Sequence, residues 1–438
     1  MRRVTAVLTL SFVLSAASTA ASNGREAADV VFEEYFTEGV LRLDVIHSGT
    51  LSEEEMSYRR AVAEPVWAGP RMSLVPPDDA GEYLLEVRDG ESGAPIYRKG
   101  FNTLFGEWRT TINAQTTRKA FEETYETPLP KRAVKIEVSR RAQAGGKRLV
   151  FETSIDPRTV GRGGALTRSK GFVHDLVISG KPEGKVDLVI LGDGYTEAEG
   201  EKFIGDCRHV IGALFAVEPF ASMRDRFNVR AVHVPSAESG VDEPRKEIFR
   251  DTAFGLSFNT LGSERYCLTE DVWAIHDAAS SVPHDAILLM ANSSRYGGGA
   301  IYNLYTAFAS DNEYDDYLCV HEFGHGFAGL ADEYYSSQVS YNEFYPRGVE
   351  PWEPNITALL DASRLKWGEL VEPGTPVPTP ADDARYRAKL GAFEGAGYAA
   401  KGLYRPAVDC KMFSKANREF CGVCRSAVAD AIRFYAPE

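Results

Sequence analysis

Past its first twenty-odd residues the chain has no run approaching the ~18 consecutive apolar residues that a spanning helix requires, so no stable membrane insertion is expected. It also lacks an excess of positive charge: 49 lysines and arginines face 63 acidic residues, giving a net charge of −14. Nucleic acid and anionic membranes select basic surfaces, so neither is expected as a main partner. Cysteine is absent until Cys207, and all six (Cys207, Cys267, Cys319, Cys410, Cys421, Cys424) fall in the later part of the chain. None accompanies the small residues near Ala20 and Ala21, so a lipid-anchored leader is not expected. There is no second cysteine pair at zinc-ribbon spacing either. Cys421-Gly422-Val423-Cys424, which alone could be a redox motif or half a zinc site, is therefore expected to supply a structural disulfide partner for Cys410. What remains is ordinary globular material, 44% hydrophobic and 26% charged over 438 residues, a length that suits two domains.

Arg2 and Arg3 precede a short apolar stretch over residues 4–17, and small residues follow through Ala20 and Ala21. Residues 1–21 thus read as a cleaved secretory leader, and the protein is expected in the periplasm of a bacterium or outside the cell. Residues 29–156 carry short, partly alternating runs such as Gly39-Val40-Leu41-Arg42-Leu43-Asp44-Val45, separated by turn signals, of which Asp89-Gly90 is the clearest hairpin cue. An antiparallel β-sandwich is expected there, with a structural or adhesive role, because no ligand cluster or nucleophile–base pair stands out. Residues 157–185, which include a Gly/Arg-rich stretch at 159–164, read as a linker and a leading strand. From residue 186 to 438 the pattern changes. Val186-Asp187-Leu188-Val189-Ile190-Leu191 fits a buried strand, residues 196–215 a helix, residues 227–234 and 286–291 further strands, and residues 423–435 a closing helix. The expected class is therefore α+β, a sandwich followed by a mixed α/β domain.

That second domain carries His321-Glu322-Phe323-Gly324-His325 within a predicted helix over residues 315–328. Residues four apart share a helix face, so His321 and His325 can offer two imidazole nitrogens to one metal, with Glu322 close enough to work on a metal-bound water. Val320, Phe323 and Phe327 form an apolar stripe that would bury this helix. Gly324, Gly326 and Gly329 cost helix stability, at about 1 kcal/mol each relative to alanine where they fall inside it. They make sense where backbone approaches another element closely and the helix must stop at Gly329. A catalytic zinc needs a third protein ligand and one open position. In one large class of zinc peptidases that ligand follows a helix-ending glycine by three residues, which points to Asp332. Here Gly329 stands four residues past His325 rather than three, and Glu333 or a glutamate from a more distant helix remains an alternative.

Further segments fit the same chemistry. Met412 is the best downstream candidate for a methionine turn beneath the metal, and core filler is its bland alternative. Gly298, Gly299 and Ala300, about twenty residues before the helix, could form a glycine-rich edge strand that pairs with an extended peptide, or a simple connector. The acidic run Asp311, Glu313, Asp315, Asp316 offers a weak calcium site, while its commoner use is at the positive end of a helix.

His321 to His325 with Gly329-Leu330-Ala331-Asp332-Glu333-Tyr334 resembles the signature of peptidase family M64, the metallopeptidases named for an immunoglobulin A peptidase. Trp67-Ala68-Gly69, Gly100-Phe101-Asn102-Thr103-Leu104-Phe105, Leu191-Gly192-Asp193-Gly194-Tyr195-Thr196, residues 295–303 and 395–406, and the segment from Cys410 to Cys424 extend the resemblance over nearly the whole mature chain. The resemblance implies an N-terminal β-sandwich of that family's kind and a metzincin-like zinc endopeptidase domain. By it, His321 and His325 would be ligands, Asp332 the third ligand and Glu322 the general base. It does not carry over a substrate beyond protein or peptide. The expected function is zinc-dependent hydrolysis of peptide bonds. The rival is a surface-binding protein whose sandwich is the working module and whose zinc site is structural or vestigial. Glu322, useless to a purely structural site, favours the enzyme.

Overall fold

The computed structural model of the protein describes residues 30–77, 80–142, 146–162, 171–336 and 344–437. The leader read at residues 1–21 and residues 163–164 of the Gly/Arg-rich stretch lie outside the described residues.

After a single turn, α1 (Phe32–Tyr35), the N-terminal part folds into two four-stranded sheets. One has the order β5-β1-β2-β8, from β1 (Phe36–Gly49), β2 (Glu54–Glu64), β5 (Lys119–Pro130) and β8 (Gly161–Arg162). The other has the order β4-β3-β6-β7, from β3 (Tyr83–Asp89), β4 (Pro95–Phe101), β6 (Val134–Arg141) and β7 (Lys147–Ile155). Pairing is antiparallel except where β8 runs parallel to β2. Leu41, Leu43 and Val45 of β1 share one core with Leu85, Val87, Ile136 and Val138 of the other sheet, as the two-residue side-chain period requires. The Asp89-Gly90 cue does close a hairpin, but through a longer loop between β3 and β4. Asp89 accepts from the Ser92 backbone at 3.0 Å, and Gly93, not Gly90, takes the left-handed conformation at φ +71°.

The second part is built on a six-stranded sheet of order β15-β16-β14-β10-β11-β9. Its members are β9 (Phe172–Val177), β10 (Val186–Asp193), β11 (Phe227–His233), β14 (Ala286–Ala291), β15 (Gly298–Ile301) and β16 (Tyr305–Ala309). The four inner strands are parallel, and β9 and β15 close the two edges antiparallel. Every residue of β10 is buried because both sheet faces are covered, which is why it reads as a near-continuous apolar run. On one face lie α3 (Gly200–Leu214), α5 (Asp315–Ala328) and α6 (Gly422–Tyr435), joined to Leu188 and Ile190 by Phe203, Val210, Phe323 and Ile432. On the other lies α4 (Val272–Ala279), with Ile275 against Val189 and Leu191. Two short ribbons, β12 (Ser257–Phe258) with β13 (Cys267–Leu268) and β17 (Phe393–Ala396) with β18 (Ala399–Arg405), complete the strands.

The two parts share interior. Helix α2 (Leu104–Arg109), from the N-terminal half, contributes Leu104, Phe105 and Trp108 to the same cluster as Val189, Leu191 and Leu289. The polar face of β1 is buried as well. Arg42 donates to Asp277 at 2.7 Å and to the Trp273 carbonyl at 3.2 Å, while His276 meets Glu126 at 2.7 Å. A freely tethered sandwich would leave these groups in water.

Phe105 is fully buried beside His47, Trp108 and Phe121. Phe105→Ala should therefore lower the unfolding free energy by about 3–5 kcal/mol, with both parts unfolding in one transition in urea. A loss below about 1 kcal/mol, or two separate transitions, would contradict the shared core.

Candidate metal centre

Helix α5 begins with Asp315 and Asp316 in its first turn, where carboxylates suit the positive helix end, and stops at Gly329, at φ +63°. Its glycines are places of close approach. A Cβ on Gly326 would stand 2.1 Å from Thr306 Oγ1 on β16, and one on Gly324 would stand 3.2 Å from the Met412 sulfur. Alanine at Gly326 would force Thr306 or the helix itself to shift. The turn after the helix has a second effect, because the Leu330 carbonyl lies 2.5 Å from His325 Nδ1. His321 Nδ1 similarly sits 3.1 Å from the Lys411 carbonyl and 3.0 Å from the Tyr317 hydroxyl.

A carbonyl can only accept, so each Nδ1 carries the proton and each Nε2 presents a lone pair. Those two nitrogens are 3.2 Å apart, and Asp332 Oδ1 is 3.2 Å from one and 3.3 Å from the other. Tetrahedral zinc with ligands at 2.0–2.1 Å would place its donors roughly 3.3–3.4 Å apart. The observed triangle fits. Asp332 Oδ1 is buried and has no hydrogen-bond partner, as a donor reserved for a cation would be. Its other oxygen accepts from the Tyr398 hydroxyl at 2.6 Å. Glu333, the alternative considered for this place, turns away and lies 3.0 Å from the Cys424 sulfur.

The electrostatics tell the same story. Burial works against a charged His325, but the Asp332 carboxylate outweighs it and lifts the imidazole to about 9. Burial likewise works against a charged Asp332, yet His325 and His321 hold it well below the usual carboxylate range. The site, in other words, calls for positive charge. Glu322 is raised by burial, opposed by His321 and His325 and reinforced by Asp332, which moves it toward the range useful to a general base.

These groups open on a cavity of about 350 Å³ lined also by Gly298, Gly299, Ala300, Tyr296 and Tyr334. Gly298, Gly299 and Ala300 do form an edge strand, β15. Gly298 donates away from β16 to the Arg265 carbonyl at 3.1 Å, and two-residue alternation turns the main-chain groups of Ala300 the same way. A Cβ on Gly298 would lie 3.3 Å from Glu322 Cγ, so glycine lets the strand pass under the carboxylate. Asn102 and Glu107, from the N-terminal part, also line this cavity.

Met412 lies fully buried beneath α5, and its carbonyl accepts from the Glu333 backbone at 2.9 Å. The acidic run does not gather at one point. Asp315 and Asp316 sit 3.3 and 3.1 Å from His209, while Asp311 is 2.8 Å from Lys202, both partners lying on α3. The expected disulfide of Cys410 is corrected: all six cysteines are free thiols, and the sulfurs of Cys410 and Cys424 stand 3.8 Å apart. Sequence reading passed over three tyrosines. Tyr317 was findable, one helical turn before His321; Tyr334 follows Asp332 by two. Tyr398 comes from the β17–β18 turn, where it has φ +65°, and nothing local marks it as a partner of Asp332.

The sequence model of a family described as IgA Peptidase M64 matches residues 175–389 and 381–432 of the chain. That of a domain described as Peptidase M64 N-terminus matches residues 31–152. No curated protein matches the chain.

Tyr398→Phe removes the hydrogen bond that orients Asp332 while keeping the ring. Zinc affinity, measured by competition with a chromophoric chelator, should fall by about 10–100-fold with the melting transition unchanged. Unaltered affinity would show that Asp332 needs no such support.

Proposed function

Because the chain belongs to peptidase family M64, we propose that it is an exported zinc metalloendopeptidase in which His321, His325 and Asp332 hold one zinc ion and Glu322 is the general base. Family membership makes it a peptidase, acting on protein or peptide. The observation that supports the finer reading best is the triangle of two Nε2 atoms and Asp332 Oδ1, with sides of 3.2–3.3 Å beside a half-buried glutamate. Zinc bound there would polarise the scissile carbonyl and lower the pKa of a bound water to about 7.

The chain's own groups do the remainder. The outward main-chain groups of Ala300 offer an extended peptide a place to pair beyond Gly298, whose own N–H is bonded to the Arg265 carbonyl, and the small residues of this strand let that peptide lie close to Glu322. Glu322 takes a proton from the attacking water as the new carbon–oxygen bond forms. It then gives that proton to the amine nitrogen as the carbon–nitrogen bond breaks. Lys411 and Leu330 hold the imidazoles by their carbonyls, and Tyr398 holds Asp332, so the donors are oriented before substrate arrives. A site of three protein donors leaves one position open, which a purely structural centre would not do. The leader read at residues 1–21 supports export. The cleft supports an extended polypeptide as substrate without selecting immunoglobulin A, which belongs to the family's description.

Glu322→Gln should keep bound zinc and the native fold while lowering kcat for casein or a peptide library by at least about 100-fold. Undiminished proteolysis in that variant, measured with and without chelator, would remove Glu322 from the chemistry.

A further inference from the structure

Next to the triangle lies a second cluster that peptide hydrolysis does not use. Glu333, Cys410, Cys421 and Cys424 each bring one donor atom, and the four atoms lie within 4.8 Å of one another. Glu333, Cys410 and Cys424 are fully buried. One Glu333 oxygen meets Asn355 at 3.1 Å and the Cys424 sulfur at 3.0 Å, while the other, Oε2, is buried with no partner at all. A carboxylate oxygen left so inside a protein is costly and calls for an explanation. The sulfurs of Cys410 and Cys424 are 3.8 Å apart. That is far beyond a disulfide at about 2.05 Å, and it matches the roughly 3.8 Å edge of a tetrahedron whose centre lies 2.3 Å from each sulfur. Cys421 is the N-cap of α6 and Cys424 falls in its first turn, where helix N-termini favour thiolates.

We infer that Glu333, Cys410, Cys421 and Cys424 form a second, structural zinc site. Three soft sulfur donors select zinc over magnesium or calcium, and four protein donors close the coordination shell, so this ion would carry no open position for a substrate. On binding, the thiols give up their protons and the sulfurs and the Glu333 carboxylate take the metal. The placement gives it a purpose. Glu333 is the next residue after Asp332, and its N–H bonds to the Met412 carbonyl at 2.9 Å. Cys410 is one residue before Lys411, whose carbonyl holds His321 at 3.1 Å. One ion thus fastens α6, the segment running from Cys410 to Met412, and the turn after α5 into a single piece, and that piece presents Asp332 and orients His321. In an exported protein it also keeps three neighbouring thiols from oxidising into disulfides.

The test uses the exported, leader-cleaved protein purified without chelator, with zinc counted by elemental mass spectrometry. The expected content is two ions per chain. A His321→Ala/His325→Ala variant should keep one, and cobalt exchanged into that variant should show a sulfur-to-cobalt charge-transfer band, which a site of imidazole and carboxylate cannot produce. Cys421→Ser/Cys424→Ser should lose the band; should it fail to fold, the wild-type cobalt spectrum still reads the same feature. Absence of metal in the His321→Ala/His325→Ala variant, absence of the sulfur band, or a disulfide between any two of Cys410, Cys421 and Cys424 in the purified protein would overturn the assignment. None of these outcomes bears on whether His321 and His325 hold the catalytic ion, because that site contains no sulfur.

Discussion

Two imidazole Nε2 atoms and one carboxylate oxygen are held 3.2–3.3 Å apart in a largely buried place, an arrangement that calls for positive charge among them. Much of the surrounding structure exists to hold that arrangement. Helix α5 is pressed against β16 through Gly326, whose side any larger residue would close, and against Met412 through Gly324. The turn at Gly329 bends the chain back so that Leu330 holds His325 and Asp332 faces the two nitrogens. Carbonyls fix both imidazoles in the tautomer that a metal needs.

The parts that meet here are scattered along the chain. The donors come from α5 and the turn after it, the orienting groups from Lys411 and Tyr398, one wall of the cavity from β15, and one rim from Asn102 and Glu107 of the N-terminal half. Such a site is only as firm as the contacts between those segments. The N-terminal half is accordingly built in: the Gly100 carbonyl accepts from Asn303 at 2.8 Å, and Asn102 donates to the Tyr302 carbonyl at 3.0 Å, just past β15. The cluster around Glu333 ties the opposite side. The six-stranded sheet supplies the flat, doubly covered platform on which these ties converge.

Much of this was legible from the residues in order. The helix over residues 315–328 and its end at Gly329 follow from apolar spacing and one glycine, both local signals. Buried β10 announced itself by its apolar run. What stayed hidden depends on contacts between distant residues. Asp332 and Glu333 are adjacent carboxylates, and only the surroundings decide that one meets imidazoles and the other meets cysteines. Cys410 and the Cys421–Cys424 pair invite a disulfide reading because no sequence spacing reveals that Glu333 completes the group. The N-terminal sheets read as a separate module because alternation in β1 suggests a wet face, whereas Arg42 and Asp44 on that face are buried against α4.

The central claim is that His321, His325 and Asp332 share one zinc ion. Anomalous scattering measured on either side of the zinc absorption edge, from crystals of the protein grown without added metal or chelator, tests it most directly. The account predicts a peak about 2.0–2.2 Å from Nε2 of His321, Nε2 of His325 and Oδ1 of Asp332, with Glu322 beside it but not bound to it. Three empty donors, or zinc held there by Glu333 in place of Asp332, would contradict it.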